Sequence, residues 1–162
     1  MWAASTVPDM RRAVLDSNAV DPLIDLPGAY ETLRTAVDDG RLRLLFTHIN
    51  IDELAVVSDA ERRSRLLLAM VDLGQLVPTG ACVADVSRLN FARLMEDVDA
   101  VEALRSGNID HTRDALIAAT AIFEKCALVT NDKRLAGRAR ERGIEVLTTS
   151  KLLADYGFAQ AA

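Results

Sequence analysis

The last third of the chain alternates short apolar runs with helical patterns, and this alternation limits the folds open to it. The pattern predicts helices over Arg113–Glu124 and Lys133–Arg142, with strands over Ala127–Thr130 and Ile144–Leu147. The first of these helices is apolar nearly all round, so it must be covered on most of its surface. Strands that alternate with helices form parallel sheets. The sequence therefore predicts a layered α/β domain.

The first two thirds of the chain extend the same alternation. Strands are predicted over Arg12–Leu15 and Leu42–Thr47, and a short strand or irregular connection over Gln75–Val83. Helices are predicted over Tyr30–Asp38, from Asn50 with Asp52 and Glu53 in the first turn, over Asp59–Leu73 with Gly74 as its end, and from Ser150. One more helix is marked by Phe91, Leu94, Met95, Val98 and Val101 and is broken at Ser106-Gly107-Asn108. Apolar residues at helical or strand spacing define each element. We expect one domain over residues 1–162.

Composition narrows the classes of function. The 162 residues carry a formal net charge of -5, which argues against a protein that coats nucleic acid by bulk charge. Any contact with nucleic acid must be local. Cys82 and Cys126 lie among apolar neighbours, so we expect two buried free thiols in a reducing compartment. No secretory leader and no membrane span is evident, which favours a cytoplasmic protein without a membrane partner.

Four acidic residues occupy equivalent places in the predicted fold. Asp16 ends the first strand, Glu53 opens the helix after the second, Asp114 opens the apolar helix, and Asp132 follows the strand that ends at Thr130. In open α/β sheets the carboxyl ends of the strands and the helix N-termini gather at one edge, where ligands bind. Taken singly, each acid has a structural explanation as a helix cap or dipole partner. As a set, they predict a metal site.

The type of ligand indicates the metal and the chemistry. Carboxylates without a cysteine or histidine cluster suit Mg²⁺ or Mn²⁺ rather than zinc. His48 at a strand end is expected to be packed or hydrogen-bonded, and His111 to lie at the surface or at a helix start. Neither enters the predicted site. A carboxylate site with such a cation suits phosphoryl chemistry, because the metal polarises the phosphate and activates a bound water.

A local excess of positive charge follows Asp132. The segment from Lys133 to Arg142 contains one acid, Glu141, and five basic residues, which are Lys133, Arg134, Arg138, Arg140 and Arg142. Basic side chains beside a carboxylate edge suit contact with a polyanion. A solvated helix face is the alternative explanation. Arg62, Arg63 and Arg65 form a second cluster with weaker positional support.

Four segments, taken in order, resemble the motifs of PIN-domain nucleases. They are Val14-Leu15-Asp16-Ser17-Asn18, Ile51-Asp52-Glu53-Leu54, Arg113-Asp114 with the apolar run through Ala121, and Leu128-Val129-Thr130-Asn131-Asp132-Lys133. The resemblance covers a core of about residues 12–153 and includes the strand Gly143–Leu147. It implies a three-layer α/β/α sandwich with a central, mainly parallel sheet. It also implies cleavage of RNA with Mg²⁺ or Mn²⁺.

The resemblance assigns roles to individual residues. Asp16, Glu53, Asp114 and Asp132 would form an acidic quartet. Asp16, Asp114 and Asp132 would hold metal directly or through water, and Glu53 would help to orient the attacking water. Ser17, Asn18, Thr130 and Asn131 would support these acids. The charge excess after Asp132, and not the resemblance, makes Lys133, Arg134 and Arg138 the candidates for substrate contact. Asp52 and Asp110 remain alternatives to Glu53 and Asp114 as the acids that face the metal.

Bacterial members of the family resemble the virulence-associated protein C toxins, so the resemblance extends to partners. Such toxins are neutralised by a small antitoxin and often dimerise. The expected partners are therefore RNA, a small antitoxin protein and a second copy of the chain.

Two other functions are compatible with parts of the sequence. One is a catalytically silent PIN-like module that binds RNA or protein. It is disfavoured because a site without chemistry need not keep four like charges together. The other is a phosphotransfer domain with Asp16 as nucleophile. Asp16-Ser17-Asn18 lacks a second aspartate two residues on, which disfavours that reading.

Overall fold

A single parallel sheet organises the chain. The computed structural model describes residues 10–84, 86–88, 90–93, 101–102, 105 and 111–159. In these residues the sheet has five strands, β1 (Arg11–Leu15), β2 (Leu42–Phe46), β3 (Gly74–Leu76), β4 (Ala127–Val129) and β5 (Val146–Leu147). Their order across the sheet is β3-β2-β1-β4-β5, and every pair is parallel. The predicted parallel sheet is confirmed.

Helices connect the strands, as parallel pairing requires. The described residues contain α1 (Asp21–Asp25), α2 (Ala29–Asp38), α3 (His48–Ala55), α4 (Ala60–Leu73), α5 (Thr112–Glu124), α6 (Lys133–Glu141) and α7 (Thr149–Asp155). A short 3-10 helix, Ser17–Ala19, follows β1 directly. None of the helices among these residues is long and apolar enough to cross a bilayer.

The two faces of the sheet bury different side chains. Val14 of β1 packs with Leu116 of α5 and Leu135 of α6 on one face. Leu15, its neighbour in the strand, packs with residues of α2 and α7 on the other, among them Leu33 and Leu152. Successive strand residues point to opposite faces, so this alternation places one layer of helices on each side. The fold is the expected three-layer α/β/α sandwich.

Helix α5 is the most enclosed element. All seven residues from 115 to 121 are buried, which confirms that this apolar helix is covered on most sides. Gly80 packs against it so closely that a Cβ atom there would lie 2.3 Å from the carbonyl oxygen of Ala119. The amide of Gly80 also donates to the Thr120 hydroxyl at 3.0 Å. A larger residue at position 80 would push α5 away from the sheet.

Helix α3 begins two residues earlier than the sequence pattern indicates. Thr47 and Asn50 form a capping box, in which each side chain bonds to the backbone at the other residue. His48 is therefore the first helical residue. Asp52 and Glu53 lie in the second turn, so the prediction that they occupy the first turn is wrong. His48 is buried and accepts from the Arg88 amide at 3.4 Å, as expected of a packed histidine.

Two further expectations need correction, and one lies partly outside the described residues. Cys126 is half-buried and Cys82 is exposed, so the predicted burial of both free thiols is wrong. Cys82 belongs to an irregular connection after Gly80 and not to a buried element. Residues 91–93 are not helical, since Ala92 forms a parallel bridge with Thr79. Val101, Glu102 and Arg105 are helical, as predicted, and the other residues of the predicted helix from Phe91, with its predicted break over residues 106–108, fall outside the described residues.

Candidate active site

Strands β1 and β4 are neighbours in the sheet but far apart in the chain. The chain runs outward from β1 through β2 to β3, then returns to place β4 on the other side of β1. The connections that leave β1 and β4 therefore diverge, which opens a crevice at their carboxyl ends. Asp16 and Asp132 lie in these two connections. The amide of Asp16 donates to the Val129 carbonyl at 2.9 Å, which fixes the two strand ends together.

Asp16 is a buried carboxylate held by two donors. Asp16 is only 4% exposed. Its carboxylate accepts hydrogen bonds from the Thr130 hydroxyl at 2.6 Å and from the Ser17 backbone amide at 2.8 Å. Burial raises the pKa of Asp16 to about 6, and the nearby charges of Asp114 and Glu53 act in the same direction. Buried carboxylates with raised pKa values are concentrated at functional sites, so Asp16 is a candidate site residue.

Glu53 reaches the same place from α3. The Ser17 hydroxyl donates to Glu53, and Asn50 donates to that hydroxyl oxygen at 3.2 Å and to the Leu15 carbonyl at 3.0 Å. Burial raises the pKa of Glu53, and the charge of Asp114 adds to this effect. Asp52, in contrast, forms an ion pair with Arg88. The geometry therefore brings Glu53, and not Asp52, to the other acids.

Asn50 is a further candidate site residue, one that the predictions from the sequence do not include. It is fully buried, and its side chain joins the end of β1 to the start of α3. The spacing Thr47-x-x-Asn50 after a strand is a recognisable capping signature that could have indicated it. Through Ser17, Asn50 orients the hydroxyl group that donates to Glu53.

Asp114 interacts with each of the other three acids. Burial raises its pKa, and the Asp132 charge adds to this. Its own charge raises the pKa values of Asp16 and Glu53. Arg138 and His111 counter the repulsion, with nitrogen atoms 3.7 Å and 3.9 Å from Asp114 Oδ2. His111 precedes α5 as its cap residue, as expected, although it also lies beside this acid. Asp110 falls outside the described residues.

Asp132 combines a structural role with its place at the site. Its Oδ1 atom caps α6 by accepting from the amides of Arg134 at 2.7 Å and Leu135 at 3.1 Å. Its own amide donates to the Thr130 hydroxyl oxygen at 3.1 Å. The expected cap is therefore present. Thr130, whose hydroxyl contacts both Asp16 and the Asp132 backbone, links the two acids.

The other polar residues predicted to support the acids do so in different ways. Ser17 and Thr130 contact acids directly, as described above. Asn18 and Asn131 instead form hydrogen bonds with one another, and the backbone amide of Asn131 donates to Asn18 Oδ1 at 2.9 Å. The Asn131 side chain also donates to Thr149 of α7 at 3.0 Å. These two residues brace the loops after β1 and β4, and act on the acids only through the position of those loops.

The basic residues after Asp132 do not act as one group. Lys133 and Arg134 are exposed at the site end of α6, and Arg138 lies beside Asp114 with its side chain 14% exposed. Arg142 is at the opposite end, where it lines a pocket of about 600 Å³ with Arg11 and Arg12. The second predicted cluster is engaged in the fold: Arg62 pairs with Asp21 and Asp25, and Arg63 and Arg65 donate to backbone carbonyls.

The donor set fits a hard divalent cation. Burial and the charges of neighbouring acids raise the pKa values of Asp16, Glu53 and Asp114, and a cation would relieve this repulsion. In the part of the chain that the structure describes, no three histidine, cysteine or acidic side chains are gathered tightly enough to form a ready-made ligand cluster. Carboxylate oxygens without a sulfur ligand are the donors that Mg²⁺ and Mn²⁺ prefer, and Mg²⁺ usually keeps several waters. Zinc would require a closer and softer set.

Comparison with known proteins agrees with this fold. Residues 13–142 match the family model of the PIN domain, so the chain belongs to the PIN-domain family. No curated protein sequence matches it significantly. Among solved structures, PAE2754 from Pyrobaculum aerophilum is similar with a TM-score of 0.59 at 16% identity, over 91% of this chain and 98% of that one.

Two other solved structures share the fold. VapBC2 from Rickettsia felis, bound to a DNA fragment from its promoter, has a TM-score of 0.56 at 17% identity, covering 85% of this chain and 98% of that one. A PilT N-terminus domain protein from Sulfolobus solfataricus has a TM-score of 0.51 at 13% identity, covering 93% and 98%. At these identities the similarity shows a common architecture.

Proposed function

We propose that the protein is an endoribonuclease that hydrolyses RNA phosphodiester bonds with Mg²⁺ or Mn²⁺. The observation that carries the proposal is the position of Asp114 at the crevice between β1 and β4, where its charge acts on Asp16 and Glu53 and the charge of Asp132 acts on it. Four like charges from four segments of the chain are costly to bring together unless a cation offsets them. Membership of the PIN-domain family, whose members are generally metal-dependent nucleases, supports the same function.

The acids divide into two roles in this proposal. Asp16, Asp114 and Asp132 hold the metal, directly or through water. The bound cation supplies polarisation of the phosphate and a lowered pKa for the attacking water. Glu53 accepts a hydrogen bond from the Ser17 hydroxyl, and burial raises the pKa of Glu53, which suits a group that takes a proton from water. Water then adds to phosphorus and gives its proton to Glu53 as the bond to the leaving sugar oxygen breaks, and that oxygen takes a proton from solvent water.

Arg138 is placed to hold the phosphate. Two of its guanidinium nitrogens, Nε and Nη2, are buried and have no hydrogen-bond partner among the described residues. Nη2 is 3.7 Å from Asp114, a distance that gives attraction without a hydrogen bond. The side chain is 14% exposed, so a phosphate can reach the exposed edge of the guanidinium group, whose geometry matches phosphate. Lys133 and Arg134 lie exposed at the same end of α6 and contact neighbouring phosphates in this proposal.

A cleavage assay tests the proposal. We expect purified protein to cut single-stranded RNA with Mg²⁺ or Mn²⁺ and to be inactive in EDTA. Asp16→Asn and Asp114→Asn should each abolish cleavage. Asp52→Asn is the matched control, since Asp52 neighbours Glu53 but pairs with Arg88. Cleavage that persists in EDTA would refute the metal dependence, cleavage that persists in both site variants would refute the role of these acids, and no cleavage by the wild type with either metal would refute the nuclease.

The silent-module alternative is separated by metal binding. Calorimetric titration with Mn²⁺ should show binding that is lost in Asp16→Asn. A protein that only holds RNA or another protein should show no such dependence on the carboxylates. RNA binding together with no carboxylate-dependent Mn²⁺ binding would favour the alternative.

The proposed biological role is the toxin of a type II toxin-antitoxin pair, acting in the cytoplasm, with a small antitoxin as partner and a homodimer as its assembly. Fold similarity to the VapBC2 toxin-antitoxin complex supports the partner. Expression of the chain alone should arrest growth, and co-expression of a small protein encoded beside it should restore growth. Harmless expression of an active nuclease would argue against the toxin role while leaving the chemistry intact.

A further inference from the structure

Gly137 lies inside α6, where its own chain gives no reason for a glycine. A Cβ atom built at this position would meet no atom within 4 Å outside the helix. Gly80 is the opposite case, since a Cβ there would lie 2.3 Å from a carbonyl oxygen. Glycine in a helix interior is less stable than alanine or glutamine. The fold therefore loses stability at Gly137 without a packing gain in the described residues.

Positive side chains surround Gly137 on the surface of α6. Lys133 and Arg134 precede it by four and three residues, and Arg140 follows it by three, so each is its neighbour on the helix surface. All three are exposed, and none forms an ion pair within the described parts of the chain, whereas Arg34 and Arg62 each pair with carboxylates. This face of the helix presents uncompensated positive charge.

The helix dipole explains only part of this charge. Arg140 lies in the last turn of α6, where a cation complements the negative end of the dipole. Lys133 and Arg134 lie in the first turn, where a cation opposes the positive end. Their position is unfavourable for the isolated helix, so an external anion accounts for them better than helix stability does.

We infer that the face of α6 centred on Gly137 docks the phosphate backbone of RNA beyond the scissile bond. Gly137 lets the backbone approach the helix closely, and Lys133, Arg134 and Arg140 contact successive phosphates. The identity of the polyanion rests on the proposed function. On this surface the RNA strand runs from Asp132 along α6, so its path leads away from the acids. Glu141, an exposed acid four residues after Gly137, weakens binding at the far end of this track.

Binding of a labelled single-stranded RNA, measured by fluorescence anisotropy in EDTA across a salt series, tests the inference. Gly137→Gln should weaken binding about tenfold, while the higher helix propensity of glutamine raises Tm by a few degrees. Arg140→Gln should lower the slope of log K against log salt by about 0.7, the value for one phosphate contact on a single strand. Glu141→Gln should strengthen binding.

Arg43→Gln is the matched control. Arg43 is exposed on β2 and has no ion pair or side-chain hydrogen bond among the described residues, and it lies at the opposite end of the sheet from the acids. Its substitution removes the same charge and should leave the salt slope unchanged. If Arg43→Gln weakened binding as much as Arg140→Gln, net charge alone would account for the effect and the inference would be overturned.

The outcomes separate this inference from the nuclease proposal. Cleavage that requires Asp16, together with unchanged RNA binding in Gly137→Gln and Arg140→Gln, would overturn the docking surface and leave the nuclease in place. The face would then serve another partner, such as an acidic protein. Absence of cleavage, with RNA binding that depends on Gly137 and Arg140, would refute the nuclease and support the docking surface.

Discussion

The Thr130 hydroxyl donates a hydrogen bond of 2.6 Å to Asp16 Oδ2. The same hydroxyl accepts from the Asp132 amide at 3.1 Å, so one buried side chain positions acids from two strand ends. Hydroxyl groups that both donate and accept can join two partners in this way, whereas an apolar residue of equal shape cannot.

Thr130→Val should therefore disturb the site without a large change in packing volume. We expect Mn²⁺ affinity and cleavage to fall by roughly 10–100-fold, the usual effect of removing a group that orients a ligand. Thr130→Ser keeps the hydroxyl and should retain most of the activity. Calorimetry and initial cleavage rates measure both effects. Equal loss in the valine and serine variants would show that the methyl group, and not the hydroxyl, matters.

Asp16 should make the metal-free protein less stable as pH rises. Its pKa is raised from 3.8 in the unfolded chain to about 6 in the fold, so the folded state binds this proton more tightly. The stability from this group is complete below pH 4 and is lost as pH rises through 6. By linkage, the loss amounts to about 3 kcal/mol. Urea unfolding in EDTA at pH 4 to 8 should show the decline.

Asp16→Asn should accordingly stabilise the metal-free protein by about 1–3 kcal/mol at pH 7.5 and have little effect near pH 4. Asp155→Asn is the control with the opposite sign. Bonding to Lys151 and Arg11 lowers the pKa of Asp155, so its loss should destabilise the protein at pH 7.5. If both variants changed stability in the same direction, the pKa argument for Asp16 would be wrong.

Arg138→Gln should reduce kcat/KM for RNA by roughly 10–100-fold, because hydrogen bonds to charged groups contribute about 1.5–3 kcal/mol. Arg138 also lowers the pKa of Asp114, and its removal should raise that pKa. The acid limb of the pH–rate profile should therefore move to higher pH. Arg138→Lys keeps the charge but loses the planar fork, and should recover activity only in part. A lower rate with an unmoved pH profile would contradict the contact with Asp114.

Gly80→Ala tests packing away from the acids. The added Cβ would overlap the Ala119 carbonyl, and α5 is enclosed on most sides, so little relaxation is available. We expect a loss of at least about 2 kcal/mol in the free energy of unfolding. Gly40→Asn is a surface control, since a Cβ at Gly40 meets no atom within 4 Å and asparagine tolerates positive φ. Equal stability of Gly80→Ala and the wild type would refute the close contact.

The sequence predicts the sheet well because its strands are short apolar runs with polar punctuation. The predicted and observed bounds of β1, β2 and β4 differ by one residue or none at each end. The start of α3 was missed because Ile49 continues the apolar run of β2 and hides the cap at Thr47. The apolar pattern alone favours a longer strand, but the reciprocal hydrogen bonds of Thr47 and Asn50 stabilise a helix that begins at His48.

The acids were predictable as a set because each follows a strand or lies near a helix start at the same edge. Their partners were not. The contact between Ser17 and Glu53 depends on the second turn of α3, and the pairing of Asp52 with Arg88 depends on an irregular segment. Arg138 could be named from its charge. Its distance from Asp114, and its difference from Arg142 at the far end of α6, needed the packed helix.

The strand order has a consequence for synthesis. Asp16 and Thr130 are 114 positions apart, yet their side chains must touch for the acids to meet. A chain emerges from the ribosome with its N-terminal part first, so β1, β2 and β3 are available long before β4 can insert beside β1. If the site cuts RNA as proposed, the nascent chain is harmless to the message and the ribosome that make it until β4 has emerged and paired with β1.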